Sequence, residues 1–394
     1  MTPVAARAAW RGTAVAIASL LAAATPSRAQ TGAALPGTQP FDAVMAAFMA
    51  KWRLPSGALV VAAEGRLIYA RGFGEAEPGT PATPATLFRV ASLSKPLTAM
   101  AALRLVEEGR LDLDARVLPI LAERFGAALP ADPRWAAITL RHLLSHRGGW
   151  DRDAAQDPTF LTRARATAGP PGCASTIAFM FGEPLQFDPG SRFAYSDFGY
   201  CVAEAVIEAR GGDSYEAVVR RLVLVPTGAV RLTIARGDRA GRRVGEALYH
   251  AEPGDERPED PYAFAPIAAA HGWIAAPVDL LRAILAAPTL LQPASVAAMA
   301  RPTGPVDDAG TTMGLGLFQR PLGDGVMLFH DGSLPGTTAL LATPKPGTAW
   351  VAVFTVRLHD RGRRQRLRRA IDEALWKAYR AMGAVPEGDL FGRF

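Results

Sequence analysis

The strand-like segments of this chain lie at its two ends. Near the start, Ala58 to Ala63 and Leu67 to Arg71 are apolar and flank Glu64-Gly65, the pattern of a β-hairpin. Near the end, Leu315 to Gln319, Val326 to His330, Thr338 to Thr343 and Trp350 to Val356 are short apolar runs separated by Gly, Pro and Asp. Between them, from about Leu111 to Ile267, helical segments alternate with Pro- and Gly-rich loops. Phe41 to Trp52, Leu97 to Glu108 and a last segment carrying Leu367, Ile371, Leu375, Ala378 and Met382 have helical spacing. Strands from both ends must share a sheet to bury their apolar faces. The expected class is α/β, more closely α+β. One antiparallel sheet is built from both chain ends and flanked by helices, with a mainly helical lobe inserted at roughly 111–267. One body over residues 41–394 accommodates this pattern.

The first 40 residues read differently. Arg7 and Arg11 precede an apolar run from Ala14 to Ala24, and Ser27-Arg28-Ala29 offers small residues where a signal peptidase reads. Residues 1–29 are expected to be an export signal cut before Gln30. The run is shorter than the ~20 residues of a membrane span. After cleavage no stable span is expected, and the product is periplasmic or secreted. Residues 30–40, rich in Gly, Ala and Pro, are expected to form a flexible leader. Removing the signal leaves 40 basic and 37 acidic residues, a net of about +3, which is no argument for a nucleic-acid partner. The arginine run Arg361 to Arg369 reads as the solvated face of the last helix.

Several chemistries are excluded by what is missing. There is no G-x-S-x-G, no P-loop and no G-x-G-x-x-G. Six histidines lack the H-E-x-x-H spacing, so no metal or cofactor is expected. What the chain has is Ser92-Leu93-Ser94-Lys95 at the start of an apolar helix. One helical turn puts residues i and i+3 on one face, so the Ser92 hydroxyl and the Lys95 amine can meet. The free amides of a first turn favour negative charge and help the lysine act as a base. Only four lysines stand among 39 arginines, and only a lysine readily loses its proton when desolvated. Tyr195-Ser196-Asp197 is the one place where a tyrosine has Asp or Asn two positions on. An ammonium beside Tyr195 would favour its phenolate. His330-Asp331-Gly332-Ser333 lies between two apolar runs, and the glycine lets a backbone N–H face a ligand at a strand edge. His146-Arg147-Gly148 has the same His-x-Gly form but is read as a structural histidine in a loop.

The order Ser-x-x-Lys, Tyr-x-Asp, His-x-Gly resembles the serine β-lactamase/DD-peptidase superfamily, specifically its class C-like branch with its esterases and D-amino-acid peptidases. Leu87 to Thr98, Ile138 to His146, Pro189 to Tyr200, Pro277 to Leu280 and His330 to Gly336 look like successive family blocks, so the likeness covers nearly all of residues 41–394. The resemblance implies a serine hydrolase. Ser92 would be acylated, and Lys95 and Tyr195 would activate it and pass a proton to the leaving group. The backbone N–H groups of Ser92 and Ser333 would form the oxyanion hole, with Asp197, His330 and Gly332 lining the substrate. Two departures stand out. Asp197 replaces the usual Asn, and when ionised it accepts only; a salt bridge with Lys95 and weaker recognition of a β-lactam side chain are expected. His330 replaces the lysine of true class C β-lactamases and is mostly neutral at pH 7, which favours esters or neutral amides over anionic substrates. The implied partner is a small ester, amide or peptide. The order of preference is an esterase or peptidase-like hydrolase, then a cell-wall D,D-carboxypeptidase, then a β-lactamase. A binding protein with weak chemistry is the reading from another class. Cys173 and Cys201 bracket the tyrosine block. In an oxidising compartment they either pair, worth roughly 3 kcal/mol, or remain two buried thiols. The loops Trp150 to Pro171 and Ala235 to Phe264 are expected to shape the pocket.

Overall fold

The computed structural model describes residues 30–126, 130–155, 157, 159, 172–237, 240–255, 258, 268–308 and 310–394. The expected export signal lies outside the described residues. The main sheet runs β1 (Gln30–Ala34), β3 (Arg66–Phe73), β2 (Gly57–Ala63), β11 (Thr348–Phe354), β10 (Thr337–Lys345), β9 (Gly325–Leu334), β8 (Phe318–Leu322) and β7 (Thr312–Met313), in that spatial order. Every neighbouring pair is antiparallel. β2 against β11 joins the two ends of the chain, with Gly57 opposite Phe354 and Ala62 opposite Ala349. Glu64 and Gly65 both have positive φ, 52° and 77°, the backbone of a tight hairpin turn with a right-handed twist.

The expected flexible leader is corrected. Gln30–Ala34 is strand β1, paired from Gln30 opposite Phe73 to Ala34 opposite Tyr69, and helix α1 already begins at Gln39. Ala33 and Leu35 pack on the core, and the Thr31 hydroxyl donates to the Ala82 carbonyl, so small residues that read as a linker cap a sheet edge instead.

α1 (Gln39–Trp52) and the last helix, α8 (Arg361–Ala381), cover one face of the sheet. Phe41, Met45, Leu367, Ile371 and Leu375 pack there against Tyr69, Trp350 and Phe354. The arginines of α8 are not simply solvated. Arg363 pairs with Glu252, and Arg368 with Asp331. The other face carries α2 (Ser94–Glu107), α5 (Asp197–Gly211), α6 (Ala268–His271) and α7 (Pro277–Leu285). A small sheet of β4 (Phe88–Arg89), β6 (Trp273–Ala275) and β5 (Leu232–Ile234) leads into α2. α3 (Arg152–Ala155) and α4 (Cys173–Met180) precede α5. Among the described residues no helix is long and apolar enough to cross a membrane, and no cluster of His, Cys, Asp and Glu is arranged to hold a metal.

Candidate active site

The serine motif does not begin inside a helix. Ala91–Leu93 is a short 3-10 turn, and α2 starts at Ser94. Ala91 has φ of 50°, a left-handed backbone that costs a non-glycine residue about 1–2 kcal/mol. The surroundings hold it there. The Val90 N–H donates to the Trp273 carbonyl, and the Ser94 hydroxyl donates to the Ala91 carbonyl at 2.7 Å. Gly332 packs beneath the same turn. A Cβ on it would sit 2.5 Å from the Val90 oxygen, so a side chain there would push the serine turn off the sheet.

Lys95 is fully buried, and its ammonium nitrogen faces three oxygens. Nζ lies 2.7 Å from Asp197 Oδ1, 2.9 Å from the Ala270 carbonyl and 3.3 Å from Ser92 Oγ. The expected Lys95–Asp197 salt bridge is therefore present. The Tyr195 hydroxyl donates to the same Ser92 Oγ at 3.1 Å. Lys95, three positions from Ser92, and Tyr195, 103 positions from it, thus converge on one oxygen. Burial lowers the affinity of Lys95 for its proton; Asp197 opposes that shift, and Arg152 adds to it. Burial first, and Asp197 second, hold the Tyr195 phenol well above the ordinary range. This corrects the expectation that a neighbouring ammonium favours the phenolate. The carboxylate two residues on, together with desolvation, outweighs the cations.

His330 is also placed differently from its reading. It lies within β9 rather than at a strand end, opposite Leu341 of β10. The pairing of β8 with β9 stops at Phe318 opposite Phe329. Beyond that point, among the described residues, no strand pairs on that side with the β9 edge carrying His330, Asp331, Gly332 and Ser333, and the serine turn packs against it instead. His330 is buried, its Nδ1 is 2.8 Å from the Asp331 carbonyl, and burial and the Lys95 charge push its pKa down to about 4. It is a neutral imidazole at pH 7.

Three participants, Arg152, Asp157 and His271, were not legible in the motifs, and a fourth, His146, was read only as structural. His146 is structural, yet it belongs to this site: its ring stacks on Tyr195 at 4.0 Å, and Nδ1 accepts the Ser196 N–H. Arg152 covers Tyr195 with its guanidinium 4.2 Å from the ring centre and donates to Asp197 Oδ2 at 3.2 Å. Buried Asp157 accepts the N–H groups of Asp197 and Phe198 and the Ser196 hydroxyl, so its carboxylate caps the start of α5 and fixes Asp197. His271 Nδ1 lies 3.6 Å from Asp197 Oδ1. Arg152 and Asp157 fall in the loop expected to shape the pocket; most of the rest of Trp150 to Pro171, and part of Ala235 to Phe264, lie outside the described residues. Cys173 and Cys201, left open as a pair or two thiols, form a disulfide with Cα atoms 5.1 Å apart, tying α4 to α5.

A serine, a buried lysine and a tyrosine meet on one oxygen, where the serine turn packs against the β9 edge. The Beta-lactamase family model matches residues 41–375. The chain belongs to the β-lactamase family. The esterase EstB of Burkholderia gladioli is 35% identical over 201 residues, 48% of this chain and 49% of that protein. A probable fimbrial assembly protein, FimD of Dichelobacter nodosus, is 36% identical over 131 residues, 33% of this chain and 31% of that protein. The chain thus spans about a third to a half of the length of these curated relatives. The D-amino acid amidase of Ochrobactrum anthropi SV3 superposes with a TM-score of 0.71 over 88% of this chain and 100% of its own, at 20% identity, and so shares the fold.

Proposed function

We propose that this β-lactamase-family chain is an exported hydrolase that cleaves an ester or amide through an acyl-enzyme on Ser92. The supporting observation is the convergence of Lys95 and Tyr195 on Ser92 Oγ, at 3.3 and 3.1 Å. In this reading Lys95, deprotonated in its buried site, takes the Ser92 proton as Oγ attacks the carbonyl carbon. Two N–H bonds of a neutral amine suffice for Asp197 and Ala270, leaving its lone pair toward Ser92. The oxyanion is held by the N–H groups of Ser92 and Ser333, donors that typically carry ~3 kcal/mol of transition-state stabilisation. Tyr195, retained as a phenol, relays a proton to the departing oxygen or nitrogen. Water then attacks the acyl-enzyme and releases the acid.

A neutral His330 supplies no fixed cation, which supports esters and neutral amides over carboxylate-bearing β-lactams. The name of the esterase relative supports the same class. A periplasmic or secreted location rests on the export signal expected over residues 1–29.

The test is intact-protein mass spectrometry of residues 30–394 after exposure to a fluorophosphonate and, separately, to a penicillin whose loss is also followed. The expected result is a fluorophosphonate adduct that Ser92→Ala abolishes, with little penicillin turnover. Rapid penicillin loss would move the assignment to a β-lactamase, and a stable penicillin adduct to a D,D-peptidase. No adduct on folded protein would overturn the hydrolase mechanism in favour of a binding role.

A further inference from the structure

We propose that Arg152 and Asp197 act as a single charge-compensated unit, in which Arg152 is a positioning residue that allows a carboxylate to stand beside Lys95 without locking the lysine as an ammonium. The proposal rests on the acyl-enzyme reading above.

The two oxygens of Asp197 are divided between two cations. Oδ1 faces Lys95 at 2.7 Å and His271 at 3.6 Å, and Oδ2 accepts from Arg152 at 3.2 Å. A carboxylate this close to a buried amine strengthens the amine's hold on its proton, commonly by one to three pH units. A base that never gives up its proton at pH 7 cannot take one from Ser92. A guanidinium is always charged, so Arg152 withdraws part of that field at every working pH. An ionised Asp197 paired with Arg152 therefore presents Lys95 with less than the field of a bare carboxylate.

The placement of Arg152 supports a role beyond surface pairing. Its backbone N–H donates to the Tyr195 carbonyl, and its guanidinium lies on the Tyr195 ring, while His146 stacks on that ring at 4.0 Å. Its side chain is 41% exposed, so it reaches from solvent to a carboxylate that is 3% exposed. The remaining charged and titratable groups around Lys95 cannot substitute for it. His146, His271 and His330 are each pushed toward the neutral form by burial. The rings of Tyr195 and Tyr200 lie 4.8 and 5.1 Å from Nζ, and both are held as phenols. Asp157 spends its carboxylate on the start of α5.

The experiment is the pH dependence of kcat/KM for a chromogenic short-chain ester in wild type, Arg152→Gln, Asp197→Asn and the double variant. Arg152→Lys serves as the conservative control. Removing Arg152 alone exposes Lys95 to the whole carboxylate, so the acid limb should move up by about one pH unit. Removing the carboxylate alone leaves Lys95 beside an unpaired cation, so the limb should move down by a similar amount. In the double variant the limb should return to within a few tenths of a unit of wild type, and most of the activity lost at pH 7 should return with it. Arg152→Lys should keep the wild-type limb. Limbs that stay fixed in both single variants would overturn the proposal. So would losses that multiply in the double variant without compensation. Fluorophosphonate labelling separates this failure from that of the underlying reading: a labelled Ser92 with uncoupled variants sinks only the charge unit, whereas an unlabelled Ser92 in wild type sinks the acyl-enzyme.

Discussion

Both faces of the central sheet are covered and buried, but they are filled with different chemistry. Beneath α1 and α8 the contacts are mainly hydrocarbon and aromatic: Phe41 on Tyr69 at 5.3 Å, Phe48 on Phe354 at 5.8 Å, and Leu367, Ile371 and Leu375 along α8. On the side of α2, α5 and α6 lie buried Lys95, Asp197, Asp157 and the imidazoles of His146, His271 and His330. The first face gains free energy from area removed from water, with little dependence on partners. Charges on the second face are tolerated only because each has a partner placed within hydrogen-bond reach. One face supplies stability that geometry scarcely modulates. The other converts geometry into proton affinity.

The comparison can be broken by mutations that move stability and proton chemistry independently. The largest effect is expected from Phe41→Ala, fully buried on the sheet-facing side of α1, at about 4 kcal/mol by urea unfolding. The acid limb of kcat/KM should not move, and a shifted limb would show that the faces are coupled. The second test is acid stability. His330 holds its proton only near pH 4, while in the unfolded chain it titrates near 6.5. Between those values the unfolded state binds more protons. Stability present above pH 6.5 is therefore lost as pH falls toward about 4, by roughly 3 kcal/mol from this residue. His146 and His271 act in the same direction. His330→Gln should flatten that part of the unfolding profile, whereas Phe41→Ala should lower it without changing its slope. The smallest effect belongs to the start of α8, where the Asp360 carboxylate accepts the Arg363 N–H. Asp360→Ala should cost about 1 kcal/mol by thermal unfolding and leave kinetics unchanged.

How far the sequence could be read follows the same division. The α1 and α8 helices, the Glu64-Gly65 hairpin and the pairing of the two chain ends were legible, because apolar periodicity reports directly on which face is buried. Gln30–Ala34 was misread because Ala and Gly carry no pattern; the strand forms because its backbone finds the β3 edge. His330 was read as ending a strand because Asp331 and Gly332 break the apolar run, yet β9 continues through them on backbone pairing with β10. In the site, Ser92, Lys95 and Tyr195 were legible from spacing and residue type. Arg152 and Asp157 were not, since an arginine and an aspartate in a polar loop look like any solvated pair.

By itself the sequence determined the class of fold and the chemistry on offer. Strand patterns at both ends require a shared sheet, and Ser-x-x-Lys at a helix start places a hydroxyl and an amine on one face. Only the tertiary structure decided the protonation of that chemistry. Arg152 and Asp197 are 45 positions apart, and Lys95 and Asp197 are 102 apart. The affinity of each for a proton depends on ångström separations and on the water excluded between them, and neither quantity is written in local sequence.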